Sequence, residues 1–369
     1  MDTDIIPVQR STRFFESGLG ARIYQIPLNL FPILWGYVYL VLVEDDGHSY
    51  RVLIDAGSGF GDSNQQLATG LAGIAVQTGE PVRLEDLTHV LITHGHIDHI
   101  GGLSYVRPRT QAQIGIHELD RRNVVNYDQR LTMASRRLHH YLLEAGVAPE
   151  LAIRLIDMYN LMKSVSHSVP VDFTYEAMGM HVGPFEILHV PGHCAGHVVI
   201  RLHDVLFCGD HVLSSTSPHQ APERLTLSTG LDHYLHSLDA VQEWAGPVCL
   251  TLAGHDEPIS DLPARLDEIR NLHKDRLSKV LDLLEEPRTT ADISKALFGD
   301  VHGYNVLLAV EEAGAHVEYL YQRGELIIVN SKEIDKSEIP IPYLYKRLEA
   351  GEMLDIQAGK QITTTSIPY

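Results

Sequence analysis

Cysteine is scarce. Cys194, Cys208 and Cys249 stand alone among 369 residues, with no CxxC spacing, which excludes a disulfide framework and fits a reducing compartment, the cytoplasm being the expected one. Basic residues are also under-represented: 29 Lys and Arg against 48 Asp and Glu give a formal net charge of −19. Repulsion on that scale argues against a chain whose main task is coating nucleic acid or an anionic membrane, unless a local basic patch overrides it. No basic segment followed by an apolar core is read in the opening MDTDIIPVQRSTRFFESG, so no secretory signal is expected. Uninterrupted hydrophobic runs are missing too. The longest apolar stretch, Ile23 to Val43, is divided by Gln25, Pro27, Asn29, Pro32 and Gly36 into two strands and a loop rather than a membrane span. No internal repeat or low-complexity run stands out. What is left, 44% hydrophobic and 21% charged, is an ordinary globular composition, long enough for two domains or one large one with a real core.

Histidine, by contrast, is abundant, with 22 residues. The chain begins with strand-like segments, ARIYQI, GYVYLVLVE and YRVLIDAG, the last after the turn-like DDGHS. A helical segment around Asn64–Thr78 follows, then a short apolar strand, Thr88–Thr93, that runs straight into HGHIDHIGG. Residues 118–165 change character: apolar residues recur at three and four among several arginines, which predicts a helical insertion. Strand-like text returns at Met180–Val190, His197–Leu202, VLFCGD and VCLTLAGHD. Strands alternating with helices, with histidines at strand ends, imply a layered α/β sandwich over residues 1–260. Beyond it, Leu262–Glu286 reads as one long amphipathic helix, TTADISKALFG as a short helix opened by a threonine cap, and Asn305–Gln322 as a third, closed by Gly324 and followed by the strand ELIIV. Three helices and a hairpin-like strand predict a small winged-helix-like α domain over 261–330. The tail, 331–369, carries Pro340 and Pro342 and reads as an extended arm with one short helix; its Ile339, Ile341, Tyr343 and Leu344 suggest docking on a neighbouring copy, a homodimer.

The chemistry concentrates in His94, His96, Asp98 and His99, followed far downstream by His193 in VPGHCAGH, Asp210 in FCGDH and His255 in LAGHD. Imidazole is the commonest neutral ligand for zinc-like ions, and carboxylate adds hard oxygen and charge. A loop presenting His, His, Asp and His at positions 1, 3, 5 and 6 can aim alternate side chains at two neighbouring points, so two metals fit the pattern. His193, Asp210 and His255 taken singly are weak signals; jointly, each follows an apolar strand beside a glycine.

THGHIDHIGG with a preceding LIDAG, then PGH, GDH and GH in that order, resembles the metallo-β-lactamase-fold hydrolase superfamily over roughly residues 20–260. The C-terminal part is similar to the winged-helix-like appendage of one branch. The resemblance implies a four-layer αββα sandwich with two divalent metal ions at the edge of two facing sheets, zinc being the expected ion and iron or manganese the alternatives. It implies that His94, His96 and His193 hold the first metal, that Asp98, His99 and His255 hold the second, and that Asp210 bridges them. Asp55 would accept a hydrogen bond from a ligand imidazole and fix its tautomer, with an ordinary turn aspartate as the other reading; Thr93 has the same two readings. A hydroxide bridging the metals would be the nucleophile, with Asp98 as the catalytic residue that orients it and takes part in proton transfer. Cys194 and Cys208 raise thiolate ligation, but the ligand set is already full and small apolar cysteine is commonly core.

Between Tyr105 and His140 seven arginines face only Glu118, Asp120 and Asp128, a local net charge of +4. If the 118–165 insertion is a lid over the metals, Arg121, Arg122 and Tyr127 would receive an anionic small-molecule substrate; exposed helix faces paired with acids elsewhere are the alternative. The leading expectation is hydrolysis of a small thioester or acyl ester, in the manner of glyoxalase II. A dinuclear nuclease or phosphodiesterase, a lactonase, and a mononuclear iron oxygenase are the competing readings. Nucleic acid is disfavoured by the net charge and by Glu311, Glu312 and Glu318 on the third helix of the appendage.

Overall fold

The computed structural model describes residues 10–348 apart from 33 and 81. Seven strands form the first sheet, in chain order: β1 (Arg13–Glu16), β2 (Arg22–Phe31), β3 (Leu34–Asp45), β4 (His48–Ile54), β5 (His89–Leu91), β6 (Gln113–Ile116) and β7 (Phe173–Thr174). The first four pair antiparallel as a meander, whereas β4 to β7 run parallel. The second sheet has the order β12-β11-β10-β9-β8, from β8 (His181–Val182), β9 (Phe185–His189), β10 (Val198–Leu202), β11 (Val205–Gly209) and β12 (Leu250–Ala253).

Alternation along the strands explains the layering. In β3, Tyr37, Tyr39, Val41 and Val43 point into a core shared with Phe185, Ile187, Val198, Ile200 and Phe207 of the second sheet. The intervening Val38, Leu40 and Leu42 point the other way, against α1 (Ser63–Thr78), α2 (Ile97–Ile100) and α3 (Leu103–Val106). The outer face of the second sheet, Val199, Leu206 and Cys208, meets Tyr234, Leu238 and Val241 of α7 (Leu231–Trp244). Helix, sheet, sheet, helix: the sandwich expected from the pattern is the one that forms.

The apolar stretch at 23–43 folds as a hairpin, with β2 running through Pro27, which pairs with Tyr37. Only the region of Pro32 breaks it, so Gln25 and Asn29 are strand residues rather than interruptions. The 118–165 insertion contains α4 (Glu118–Val125), α5 (Tyr127–Glu144) and α6 (Pro149–Lys163). Beyond the sandwich, α8 (Leu262–Leu283), α9 (Thr290–Phe298) and α10 (Tyr304–Gln322) pack with an antiparallel ribbon of β13 (Leu326–Ile328) and β14 (Tyr345–Arg347) around Val280, Ile293, Val317 and Tyr345. α9 starts at the threonine cap: Thr289 and Asp292 exchange side-chain to backbone hydrogen bonds. α11 (Ser331–Lys336) is the short helix of the tail.

Two expectations change here. The described part of the arm docks on its own chain: β14 pairs with β13, and the Tyr343 amide donates to the Glu144 carbonyl at the end of α5. The rest of it, 349–369, lies outside the described residues. Glu311, Glu312 and Glu318 do not form an outward acidic face. They bind the 217–224 segment of the catalytic unit, Glu312 accepting from the Gln220 amide (2.7 Å) and Glu318 from the Glu223 amide (2.5 Å). No helix among the described residues is long and apolar enough to cross a membrane.

Candidate metal centre

The five histidines and two aspartates singled out in the sequence follow four separate strands and meet at one edge of the sandwich. They form two nests, His94 with His96 and His193, and Asp98 with His99, Asp210 and His255. In the first, ring centroids lie 4.7 Å (His94–His96), 5.2 Å (His94–His193) and 4.5 Å (His96–His193) apart. In the second, His255 Nε2 is 3.3 Å from Asp98 Oδ2 and 3.4 Å from Asp210 Oδ2, and His99 Nε2 is 3.4 Å from Asp210 Oδ1. Asp210 Oδ2 also stands 3.8 Å from His193 Nε2 and 4.0 Å from His94 Nε2. One carboxylate therefore reaches both nests.

The surrounding protein fixes which nitrogen of each ring is free. His99 Nδ1 donates to Asp55 Oδ2 (2.8 Å), His193 Nδ1 to the His219 carbonyl (2.6 Å) and His255 Nδ1 to the Trp35 carbonyl (2.7 Å). His94 Nδ1 lies 3.1 Å from Thr93 Oγ1, whose hydroxyl donates to Asp55 Oδ2. Each ring so held turns its Nε2 inward. The Nε2 atoms of His94, His99 and His193, and Oδ1 of Asp210, are buried with no hydrogen-bond partner. Unpartnered polar atoms converging in a buried space are costly, and divalent cations, displacing any proton on Nε2, satisfy them; the donor set of imidazoles and carboxylates fits two such ions.

Asp55 accepts from the Thr93 amide and hydroxyl and from His99, all at 2.8 Å, and sits at φ +62°. A non-glycine residue in the left-handed region costs energy; here the turn aims one carboxylate at the His99 ring and at Thr93, whose hydroxyl lies beside His94. Glycines make the approach close. A Cβ on Gly254 would lie 2.4 Å from Asp210 Oδ1 and 2.6 Å from His99 Cε1.

Burial, reinforced by neighbouring imidazoles, pushes His94 and His96 well below the usual histidine range, and burial lowers His193. These rings are neutral, the form in which imidazole can bind a cation. In the second nest burial acts the same way on His99 and His255 but is outweighed by Asp210 and the other carboxylates, which hold both well above that range. Burial opposes the ionisation of Asp98 and Asp210 too, yet the imidazolium charges keep both low. The second nest is thus built for positive charge. The cysteines are not part of it: burial, then Asp120, raises the Cys194 thiol far up, and burial pushes Cys208 to about 12.

Three contributors were not singled out in the sequence. Asp120 joins the two histidine loops by accepting from the amides of Gly95 (2.7 Å) and Gly196 (3.0 Å). His197 stacks on His94, with centroids 4.5 Å apart, and accepts from the Asp210 amide. His219, whose carbonyl holds His193, is itself clasped by Glu311 of α10 (3.0 Å). His197 stands in the GHCAGH text beside His193, but carbonyls such as those of His219 and Trp35 have no residue signature.

A family model described as the metallo-beta-lactamase superfamily matches residues 33–286. The chain belongs to that superfamily. The Probable metallo-hydrolase YqjP of Bacillus subtilis is 26% identical over 303 residues, covering 78% of this chain and 89% of that protein. A hydroxyacylglutathione hydrolase of Shewanella pealeana is 25% identical over 140 residues, 38% of this chain and 36% of that protein; the chain spans about a third of that relative's length. Among solved structures, a metallo-beta-lactamase family protein of Thermus thermophilus superposes with a TM-score of 0.69 at 25% identity, covering 88% of this chain and 98% of its own. A beta-lactamase domain protein of Burkholderia ambifaria gives 0.65 at 20% identity, with 91% and 93% covered.

A cavity of about 980 Å³ opens over both nests, lined by Asp98, His193 and Asp210 below, by α5 and α6, and by Tyr304, Asn305, Leu308 and Glu311 of α10. Residues of the 118–165 insertion thus line the cavity beside the two nests. Arg121 and Arg122, expected to receive substrate, are exposed on α4 and lie outside the lining. Tyr127 does line the cavity, its hydroxyl donating to the Lys163 carbonyl (2.7 Å). Arg107 is paired with Asp172 and Arg109 stacks on Tyr105. Arg130 is the arginine that enters the cavity.

Proposed function

We propose that this protein is a metal-dependent hydrolase of thioesters or acyl esters. The observation that carries the reading is the pair of nests joined through Asp210 and opening together on one large, mostly apolar cavity. Two divalent ions, zinc for preference given this nitrogen-rich set, would be held by His94, His96 and His193 and by Asp98, His99 and His255, with Asp210 between them; when bound, they would polarise the substrate carbonyl and bring the pKa of a shared water from about 15.7 towards about 7. Asp98 orients the attacking water and takes its proton, which then passes to the leaving thiol or alcohol as the carbonyl carbon releases it. Asp55 and Thr93 hold the ligand rings of His99 and His94 in the required tautomer. Relatives named hydroxyacylglutathione hydrolase support a thioester substrate. A cavity walled by tyrosine, leucine and methionine suits an acyl group better than a phosphodiester backbone, and residues 261–330, read as a winged-helix-like unit, serve as a wall of that cavity rather than as a nucleic-acid surface.

The test is a panel of thioesters, lactones, phosphodiesters and a β-lactam assayed on the zinc-loaded protein, beside elemental analysis of protein purified without added metal. Turnover of thioesters or esters with about two zinc ions per chain is the expected result; activity confined to phosphodiesters would overturn the reading.

A further inference from the structure

The cavity is larger and greasier than a small polar acyl group requires. At about 980 Å³ it stands near the top of the roughly 300–1,000 Å³ range of small-molecule sites. Leu131 and Leu138 of α5, Tyr159 and Met162 of α6, Leu308 of α10 and Phe60 of the opposite wall all line it. Left facing water, this surface would forgo the hydrophobic free energy that an apolar ligand recovers.

Two cations line the same space with no carboxylate partner among the described residues: Lys163, whose Nζ lies over the Tyr159 ring (4.5 Å), and Arg130, which sits among the apolar side chains. Arg130 is half-buried; Nη2 donates to Thr226 Oγ1 (2.9 Å), and Nε is buried with no partner. The acids of the same lining are engaged elsewhere: Asp120 with the Gly95 and Gly196 amides, Glu311 with His219, Asp98 and Asp210 in the metal nests. The charged groups that act most strongly on Arg130 include Arg122 and Arg137, of its own sign. A half-buried guanidinium with no carboxylate partner is expensive, and an anion delivered by a ligand would satisfy it in the planar, bidentate manner arginine favours.

We propose that the cavity binds an amphiphilic anion, its extended apolar group held between α5, α6 and α10 and its anionic group paired with Arg130. The proposed hydrolysis is used only to call that ligand an acyl compound. Such a ligand also accounts for a basic residue placed inside an apolar lid while Arg121, Arg122, Arg136 and Arg137 remain in water.

Titration calorimetry of the metal-loaded protein with butanoate, octanoate and dodecanoate, and with dodecyltrimethylammonium as a chain-matched cation, reads binding without turnover. Affinity should rise by roughly a hundredfold or more from butanoate to dodecanoate, since each buried methylene adds to it while the carboxylate stays the same throughout. Dodecyltrimethylammonium should bind at least about tenfold more weakly than dodecanoate. Arg130→Gln should narrow that difference several-fold, the metals and Lys163 keeping the remainder, and Arg130→Lys should retain most of it. Equal affinity for butanoate and dodecanoate, or a charge preference untouched by Arg130→Gln, overturns the proposal. The two readings fail separately: chain-length-dependent binding in a protein that hydrolyses no acyl compound defeats the hydrolase reading alone, and acyl hydrolysis indifferent to chain length defeats this one.

Discussion

Asp55 spends a strained backbone conformation to hold Thr93 and His99 at once. Asp55→Ala leaves the His99 ring free to turn, and metal affinity should fall roughly 10–100-fold, measured by competition with a chromophoric chelator; unchanged affinity would make Asp55 a turn residue and nothing more. Gly254 tests the same centre by volume. Its methyl group in Gly254→Ala would collide with Asp210 and His99, so bound metal should drop from about two per chain towards one while the sandwich stays folded by circular dichroism. The residues of the two nests were legible in the sequence because metal-binding chemistry favours histidine and aspartate, and His94-Gly-His96-Ile-Asp98-His99 crowds four of them into six positions. The carbonyls of Trp35 and His219 were not, since a backbone acceptor works under any side chain. Arg121 and Arg122 misled because local charge density in sequence does not report which face of α4 turns to solvent.

Strand and helix boundaries followed periodicity closely where a single face is buried, as in α1 and the long α8. Short elements escaped notice. β6 and β7 have four and two residues, too few for alternation to register, and α7 is not among the expected helices although Tyr234, Leu238 and Val241 carry the right spacing. The alignment of α10 with the insertion could not be read at all, because it depends on contacts between distant segments, Leu307 and Val310 packing with Leu138, Tyr141 and Leu155. Gly314 of α10 sits against Tyr141 of α5, whose hydroxyl donates to the Val310 carbonyl (3.1 Å), and a Cβ at Gly314 would overlap that hydroxyl. Gly314→Val should therefore cost about 1–3 kcal/mol in chemical denaturation and weaken catalysis as well, by pulling Leu308 and Tyr304 away from the cavity. Loss of stability with an unaltered KM would show that this contact serves packing only.

Across the whole molecule five of the 22 histidines form a buried column. From His94 it passes through His197 (4.5 Å), His211 (5.8 Å), Tyr234 (5.2 Å), His273 (5.6 Å) and His316 (5.2 Å), each step a ring-to-ring distance, from the metal nests to the C-terminal helices. Burial pulls His273 down to about 3, with Glu312 opposing and His316 and Arg276 assisting. Its ring stays neutral in the folded chain, whereas an unfolded one takes up a proton near 6.5. Below pH 6.5 the unfolded state therefore binds the extra proton, and stability falls by up to about 1.4 kcal/mol per pH unit until roughly pH 3. Urea denaturation of His273→Gln from pH 7 to pH 4 should give a shallower decline than the parent; parallel curves would remove His273 from the acid response.

α10 also ties ligation to the order of the C-terminal unit. Its Glu311 clasps His219, and the His219 carbonyl orients His193, so whatever occupies the first nest favours the docked arrangement of α10 and is favoured by it in turn. Such linkage is reciprocal. Chelation should speed amide hydrogen exchange along residues 304–322, which supply none of the nest residues, and Glu311→Ala should loosen the metal.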